Sequence, residues 1–109
     1  MPDVYDPAEY VEAVLSTVER IPRGRVMSYG AIAEYLHDRF GRGSARRVGT
    51  IMATYGSAVP WHRVVSGAGR LPPGHEKEAR RRLVAEGVTF RGAHVPMAQH
   101  AWWPEAGEP

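Results

Sequence analysis

The sequence contains no cysteine, and this absence removes several classes of function. Disulfide frameworks, zinc–thiolate sites and catalysis by a thiol nucleophile all depend on that residue. No apolar run approaches the length of a membrane span, and the N-terminus is acidic, whereas a secretion signal starts with basic and then apolar residues. We therefore expect a cytoplasmic protein with no membrane partner, no metal and no cofactor.

Charged residues are distributed unevenly along the 109-residue chain, which has the length of one domain. Five carboxylates and no Lys or Arg precede Arg20, whereas the segment from Arg39 to His75 holds six Arg and no carboxylate. Lys77 and the Arg run at 80–82 follow. Arg binds phosphate bidentately and stacks on flat rings, so this basic segment favours a nucleic-acid partner. The alternative is a solvated basic surface.

Three helices are predicted from apolar periodicity and from side chains that can cap a first turn. Asp6, with Pro7 at the first helical position and Glu9 for a capping box, is a helix start that fits the next apolar stripe. The predicted helices run from Asp6 to just before Pro22, from Ser28 to about Leu36, and from Ser44 to about Tyr55.

The third predicted helix has an apolar stripe on one side and a basic residue on the other. At about 100° per residue, Arg46 projects away from the stripe, and Ala45, Gly49 and Ala53 form a flank with little side chain. Such a helix suits close approach to a nucleic-acid groove, and with the second helix it resembles a helix-turn-helix. A plain three-helix core with a solvated Arg is the alternative. The stripe residues, Met52 and Tyr55 included, are most simply core: Val48, Ile51, Met52 and Tyr55.

Two β-like runs follow the third helix, at 63–65 and 88–90, and they indicate a winged variant of the helix-turn-helix. A basic helix lies between them, ends near Glu86 and stops at Gly87. The predicted domain covers 1–96, and the predicted tail, 97–109, is partly disordered. Its two Trp, at 102 and 103, either pack back on the domain or stay exposed.

The stretch V-P-W-H-R-V-V, residues 59–65, has the composition of a reactive site, yet Trp61 at its centre cannot be a nucleophile. It is one of four motifs in order, the others being I-P-R-G-R-V-M-S-Y-G-A-I-A (21–33), S-A-R-R-V-G (44–49) and A-E-G (85–87). Together they resemble the C-terminal domain of the O6-alkylguanine-DNA alkyltransferases. Those enzymes read P-C-H-R-V where this chain reads P-W-H-R-V, and a Trp at that position is the mark of the alkyltransferase-like proteins.

The resemblance implies a mainly α fold with short β-strands, a winged helix-turn-helix that binds DNA through the minor groove and rotates a damaged base into a pocket. It makes Arg46 the finger that fills the vacated stack, Tyr29 the residue beside the flipped nucleotide, and Trp61 the pocket floor. Its implied DNA-binding residues are Ser28, Tyr29, Ala45, Arg46, Arg47 and Gly49. Its implied lesion pocket is formed by Tyr29, Trp61, His62, Val65, Ser66 and Arg70, and His62 and Glu86 form a vestigial hydrogen-bond pair.

An indole in this position gives a base a surface to stack on, which contributes roughly 1–3 kcal/mol toward holding it outside the helix. The function expected from the resemblance is a non-enzymatic sensor of O6-alkylguanine in double-stranded DNA. It would act as a monomer in the bacterial cytoplasm, associated with the nucleoid when bound, and direct lesions to nucleotide excision repair proteins. The alternatives are an enzyme, either a residual alkyltransferase or a glycosylase using His62, and a winged-helix transcription regulator. Trp61 as a core residue and Arg63 as a brace of the fold are the structural alternatives.

Overall fold

Three capped helices form the N-terminal part of the fold in the computed structural model, which describes residues 6–104. They are α1 (Pro7–Arg20), α2 (Tyr29–Phe40) and α3 (Ala45–Tyr55). The predicted caps are all present: the side chains of Asp6, Ser28 and Ser44 accept hydrogen bonds from backbone N–H groups of the first turns, at 2.9, 2.9 and 3.1 Å. These bonds satisfy donors that a helix start leaves unpaired. The serines at 28 and 44 thus fix where the two helices of the helix-turn-helix begin.

The second helix is one turn longer than predicted, because it continues past Leu36 to Phe40. Its last turn contains the polar residues at 37–39, which hide the apolar period, but Phe40 packs edge-on against Tyr10 with ring centroids 5.1 Å apart. Gly41 ends the helix in the left-handed conformation, φ 69°, and donates its N–H to the carbonyl of His37 at 2.7 Å. A tertiary contact therefore sets the length of this helix.

The first hydrophobic core lies among α1, α2 and α3, and it confirms most of the predicted apolar stripes. Val48 and Ile51 of α3 are buried, and Met52 is partly buried against them. Tyr55 is a correction: it is the last residue of α3 and is 54% exposed, because it borders an open groove between α3 and the start of α1 instead of entering the core. The helices, together with the turn at 41–44, form the predicted helix-turn-helix.

The β-structure differs from the prediction of a wing between 63–65 and 88–90. β1 (Met27–Ser28) pairs in parallel with β2 (Val64–Val65), with Met27 opposite Val64. No strand forms at 88–90. Val88 instead completes the C-terminal end of the next helix, α4 (Glu76–Ala85), where its N–H donates to the carbonyl of Leu83 at 3.0 Å. The predicted stop at Gly87 is confirmed, with φ 96°.

A second core connects α4 to the C-terminal residues of the described chain. It contains Leu83 of α4 with Val26, Val65, Val88 and Val95. The predicted tail does not stand apart over its described part, because α5 (Met97–His100) is followed by Trp102, whose N–H bonds to the carbonyl of Val26 at 2.8 Å. Partial disorder was predicted for 97–109, and of these residues 105–109 lie outside the described part of the chain.

Trp102 and Trp103 adopt the two alternatives that the sequence left open. Trp102 packs against the first core, whereas Trp103 is 40% exposed and meets Tyr35 edge-on, with centroids 5.7 Å apart. Across residues 6–104, no helix combines the length and the hydrophobicity that crossing a membrane requires.

Gly69 in the loop after β2 generates a stability prediction, with Gly74 as its matched control. Both have a left-handed φ, 83° and 84°, but a Cβ on Gly69 would lie 2.2 Å from the carbonyl oxygen of Val95, whereas one on Gly74 meets nothing within 4 Å. We expect Gly74→Ala to lower the free energy of unfolding by about 1–2 kcal/mol through the left-handed backbone alone. Gly69→Ala should lower it by about 2 kcal/mol more, since the Val95 backbone must move. Urea denaturation measures both, and equal losses would contradict the close approach.

Candidate nucleic-acid interface and pocket

The N-terminal turn of α3 presents the arginine that the sequence placed opposite the apolar stripe. Arg46 is exposed, whereas Val48 and Ile51 on the other side of the helix are buried. Ala45 beside it is also exposed, and Gly30 of α2 approaches it so closely that a Cβ there would lie 3.9 Å from the Ala45 Cβ. The start of α3 is therefore an exposed surface of small residues, with the Arg46 side chain at its edge.

Arg47 lies next to this surface but also contacts the interior of the fold. It is partly buried, and its guanidinium carbon lies 6.0 Å from the centre of the Tyr10 ring. With Arg46 it borders a shallow groove between α3 and the start of α1. Ser28 is also committed locally, because its hydroxyl caps α2.

Tyr29 and Trp61 line one pocket, which lies beside the exposed surface of α3. The pocket has a volume of about 690 Å³, within the usual range for small-molecule sites. Gly49 also lines it, and a Cβ there would come within 3.9 Å of the Tyr29 ring. Burial raises the pKa of Tyr29, so its phenol is neutral at physiological pH. The lining residues are Tyr29, Gly49, Met52, Ala53, Gly56, Ser57, Trp61, Pro72, Pro73 and His75.

Four residues expected in the pocket lie elsewhere. Val65 is fully buried in the second core because β2 pairs with β1. The Ser66 hydroxyl accepts hydrogen bonds from the backbone N–H groups of Ala68 and Arg70, at 3.2 and 3.0 Å, and so closes a turn. That turn leaves Arg70 exposed, with its backbone bridged to His94, away from the pocket lining. His62 is the fourth, and it is buried against Glu86.

The sequence did not assign Pro72, Pro73 and His75 to the pocket. They belong to the short loop before α4, and the loop returns toward Trp61, so that the His75 and Trp61 rings meet edge-on with centroids 5.7 Å apart. No local pattern marks this approach, because it depends on how α4 packs on the turn at Trp61–Arg63.

Behind Trp61, the carboxylate of Glu86 is the centre of a buried polar cluster. His62 donates to it from Nε2 at 2.8 Å, and Arg63 holds it from Nε and Nη2, the latter at 2.8 Å. The backbone N–H of Gly24 also donates to it, at 3.0 Å. Arg63 reaches further, to the carbonyl of Ile21 at 2.7 Å. Arg63 is therefore a brace of the fold, one of the alternatives drawn from the sequence.

The cluster fixes the charge of both titratable groups. Burial alone would raise the pKa of Glu86, but hydrogen bonds from Arg63, Gly24 and His62 lower it to about 2. Burial lowers the pKa of His62 and outweighs the opposing effect of Glu86. At neutral pH the pair is therefore a carboxylate and a neutral imidazole. Among residues 6–104, no group of three or more His, Asp or Glu side chains is arranged to hold a metal ion.

A family model described as the DNA-binding domain of 6-O-methylguanine DNA methyltransferase matches residues 9–88, from α1 through the end of α4. The chain belongs to this family. The match includes the helix-turn-helix, the Trp61 turn and the Glu86 cluster. The methyltransferase-type DNA-binding domain is thus the fold that positions the pocket.

Two similar proteins are named for base flipping and for their likeness to alkyltransferases. The chain is 31% identical over 99 residues to the "DNA base-flipping protein" of Escherichia coli K12, covering 85% of this chain and 74% of that protein. It is 37% identical over 108 residues to "Alkyltransferase-like protein 1" of Schizosaccharomyces pombe, covering 88% and 96%.

Solved structures of the fission yeast protein share the fold. The crystal structure of S. pombe Atl1 with damaged DNA containing O6-carboxymethylguanine superposes with a TM-score of 0.74 at 30% identity, covering 89% of this chain and 97% of that one. A second structure of the S. pombe protein with DNA gives a TM-score of 0.71. These likenesses confirm a mainly α domain with short strands, of the alkyltransferase DNA-binding type.

The Glu86 cluster predicts a loss of stability in acid. A carboxyl with a pKa of about 2 in the folded chain and an ordinary value of 4.5 stabilises fully above pH 4.5, and that stability is lost as pH falls toward 2. His62 acts in the same direction, because its lowered pKa means the unfolded chain gains a proton first as pH falls below 6.5. The free energy of unfolding should therefore decrease below about pH 6.5 and most steeply below 4.5.

Glu86→Gln isolates the contribution of the carboxylate. At neutral pH it should lower the free energy of unfolding by about 3–5 kcal/mol, because Arg63 stays buried without its counter-charge. It should also flatten the acid dependence between pH 4.5 and 2. Glu78→Gln, at an exposed ion pair, is the control and should cost far less. Urea titrations at several pH values measure these effects, and a Glu86→Gln variant with the same acid slope as the unmodified chain would refute the assignment.

Proposed function

We propose that the protein is a non-enzymatic sensor that binds O6-alkylguanine in duplex DNA and turns the base into the pocket between Tyr29 and Trp61. One observation carries the proposal: an indole lines a pocket beside the exposed surface of α3, in a chain without cysteine. By resemblance, Trp61 stands where a transferase has its acceptor thiol. A site of this kind holds a base without an atom to take its alkyl group.

The energetics of base flipping support this use of the residues. Extruding a base costs a few kcal/mol of stacking and pairing, least for a base that is already damaged. Arg46 is exposed at the edge of α3, where it can fill the space left in the stack. Stacking of the extruded base on Trp61 contributes roughly 1–3 kcal/mol toward holding it outside the helix. The neutral Tyr29 phenol lines the same pocket and suits an uncharged, alkylated base.

The enzyme alternatives find less support in the geometry. Alkyl transfer needs a nucleophile that accepts the group, and Trp61 offers none. A glycosylase acting through His62 needs that imidazole at the base, but His62 does not line the pocket, and its Nε2 is bonded to Glu86. A sequence-specific regulator would use the same helix-turn-helix, but it gives no role to an aromatic pocket.

The downstream steps are part of the same proposal. A protein that holds a lesion without repairing it must pass it on, and nucleotide excision repair proteins are the partners we infer. Minor-groove binding, a monomeric state and action at the bacterial nucleoid stay predictions from the resemblance.

Lesion binding and the Arg46 finger give one prediction. The protein should bind a duplex with O6-methylguanine more tightly than the matched unmodified duplex, with both affinities falling as salt rises. Arg46→Ala should weaken lesion binding by about tenfold or more, since the vacated stack is left unfilled. Arg91→Ala, which removes an exposed cation elsewhere, is the control. Fluorescence anisotropy measures binding, and a fluorescent base analogue at the lesion reports flipping.

Two results would contradict parts of this prediction. Equal affinity for modified and unmodified duplexes would favour the transcription regulator. Normal flipping by Arg46→Ala would remove the finger role while leaving lesion recognition intact.

The absence of chemistry gives a second prediction. Excess protein incubated with duplex carrying a radiolabelled O6-methyl group should leave the label on the DNA, because the chain has no thiol to accept the group. An added alkyltransferase should be slowed in proportion to occupancy. Label on this chain would establish a transferase, and free base in solution a glycosylase.

A further inference from the structure

The outer side of Trp61 is covered by a residue of α4 that the pocket itself does not include. The guanidinium carbon of Arg82 lies over the indole, 5.2 Å from the ring centroid. Trp61 lines the pocket, and Arg82 is not among the residues that line it. A cation over an indole at this distance is an attractive contact.

Arg82 is itself held in place by a neighbour one turn earlier in α4. Its Nε donates to Oε2 of Glu78 at 2.8 Å, and Arg81 binds the same carboxylate. Hydrogen bonds from Arg81 and Arg82 lower the pKa of Glu78 to about 2, so the carboxylate is charged at physiological pH. Glu78 thus connects two cations, of which only Arg82 is placed over the indole in the described contacts.

Two imidazole rings also lie close to Trp61, and neither is stacked face to face with it. His75 lies at 63° and His62 at 88° to the indole, with centroids 5.7 and 6.1 Å away. Trp61 also packs against the second core and is partly buried. Of the contacts described for this indole, Arg82 supplies the cation over the ring.

We propose that Arg82, oriented by Glu78, is a positioning residue for Trp61. Arg82 covers one face of the indole, so that the opposite face is presented to the flipped base. This rests on the proposed function, since its consequence is selectivity for the lesion. An indole that is free to turn would present a range of orientations, and the stacking that holds the base would be weaker. The effect should appear as a change in lesion preference, because a damaged base is extruded at a lower cost than an undamaged one.

Three variants separate positioning from simple electrostatics. Arg82→Ala should lower the ratio of lesion to unmodified affinity by about two- to fivefold, the size expected for one exposed cation–π contact. Arg81→Ala is the matched control, because it removes the same charge from the same helix and the same carboxylate but leaves the indole contact. It should weaken both duplexes alike and leave the ratio unchanged. Arg82→Lys should restore part of the ratio.

Glu78→Gln makes the sharpest distinction. Removing a negative charge near DNA should tighten binding to both duplexes if charge alone matters. If Glu78 orients Arg82, the ratio of lesion to unmodified affinity should fall even as overall binding rises. A ratio that stays constant in both Arg82→Ala and Glu78→Gln would overturn the proposal.

The free protein supplies a measurement that does not depend on lesion binding. The indole N–H of Trp61, observed by NMR and assigned with Trp61→Phe, should shift and broaden in Arg82→Ala and Glu78→Gln but not in Arg81→Ala. An unchanged resonance in the first two would overturn the positioning role, whatever the DNA results. If the indole responds but the unmodified protein shows no lesion preference, it is the sensor function that fails, and with it the link to selectivity.

Discussion

The buried carboxylate of Glu86 is the interaction on which the arrangement of the site depends. It joins three distant parts of the chain: the loop after α1, through Gly24; the Trp61–Arg63 turn, through His62 and Arg63; and the C-terminal end of α4. A carboxylate this deeply buried is tolerable only with opposite charge and several donors around it. Because His62 and Arg63 supply these contacts, they fix the Trp61–Arg63 turn, and the turn determines the position of Trp61. In this structure the cluster holds these three segments together.

Residues from both halves of the domain line the pocket. Tyr29 and Gly49 come from the helix-turn-helix, whose geometry follows from two serine caps and a buried apolar stripe. Trp61 and His75 come from the segment between α3 and α4, which is attached by the parallel pairing of β1 with β2 and by α4. The exposed start of α3, with Arg46, borders this pocket region. The exposed start of α3 and the aromatic pocket are therefore positioned by one domain, which is the arrangement that the proposed base flipping needs.

An indole at position 61 gives this pocket a surface for stacking, in a chain without a thiol. The strength of a stacking contact depends on how the ring is oriented, and Arg82, His75 and His62 lie around it. Under the proposed function these contacts, rather than an acid or a base, set the selectivity for the lesion.

The sequence by itself determined the local structure and the family. Cap residues, apolar periods and the four ordered motifs were sufficient for the helix starts, the helix-turn-helix, the exposure of Arg46 and the alkyltransferase resemblance, because each depends on neighbours within a few residues. Tertiary structure decided the rest. Val88 completes a helix cap instead of a wing strand, Val65 enters the core, Tyr55 is exposed, and Trp102 packs back through Val26. Pro72, Pro73 and His75 reach the pocket only because α4 folds onto the Trp61 turn. Contacts between residues far apart in sequence, such as Glu86 with Gly24, leave no periodic pattern, since they arise only when packing brings complementary groups together.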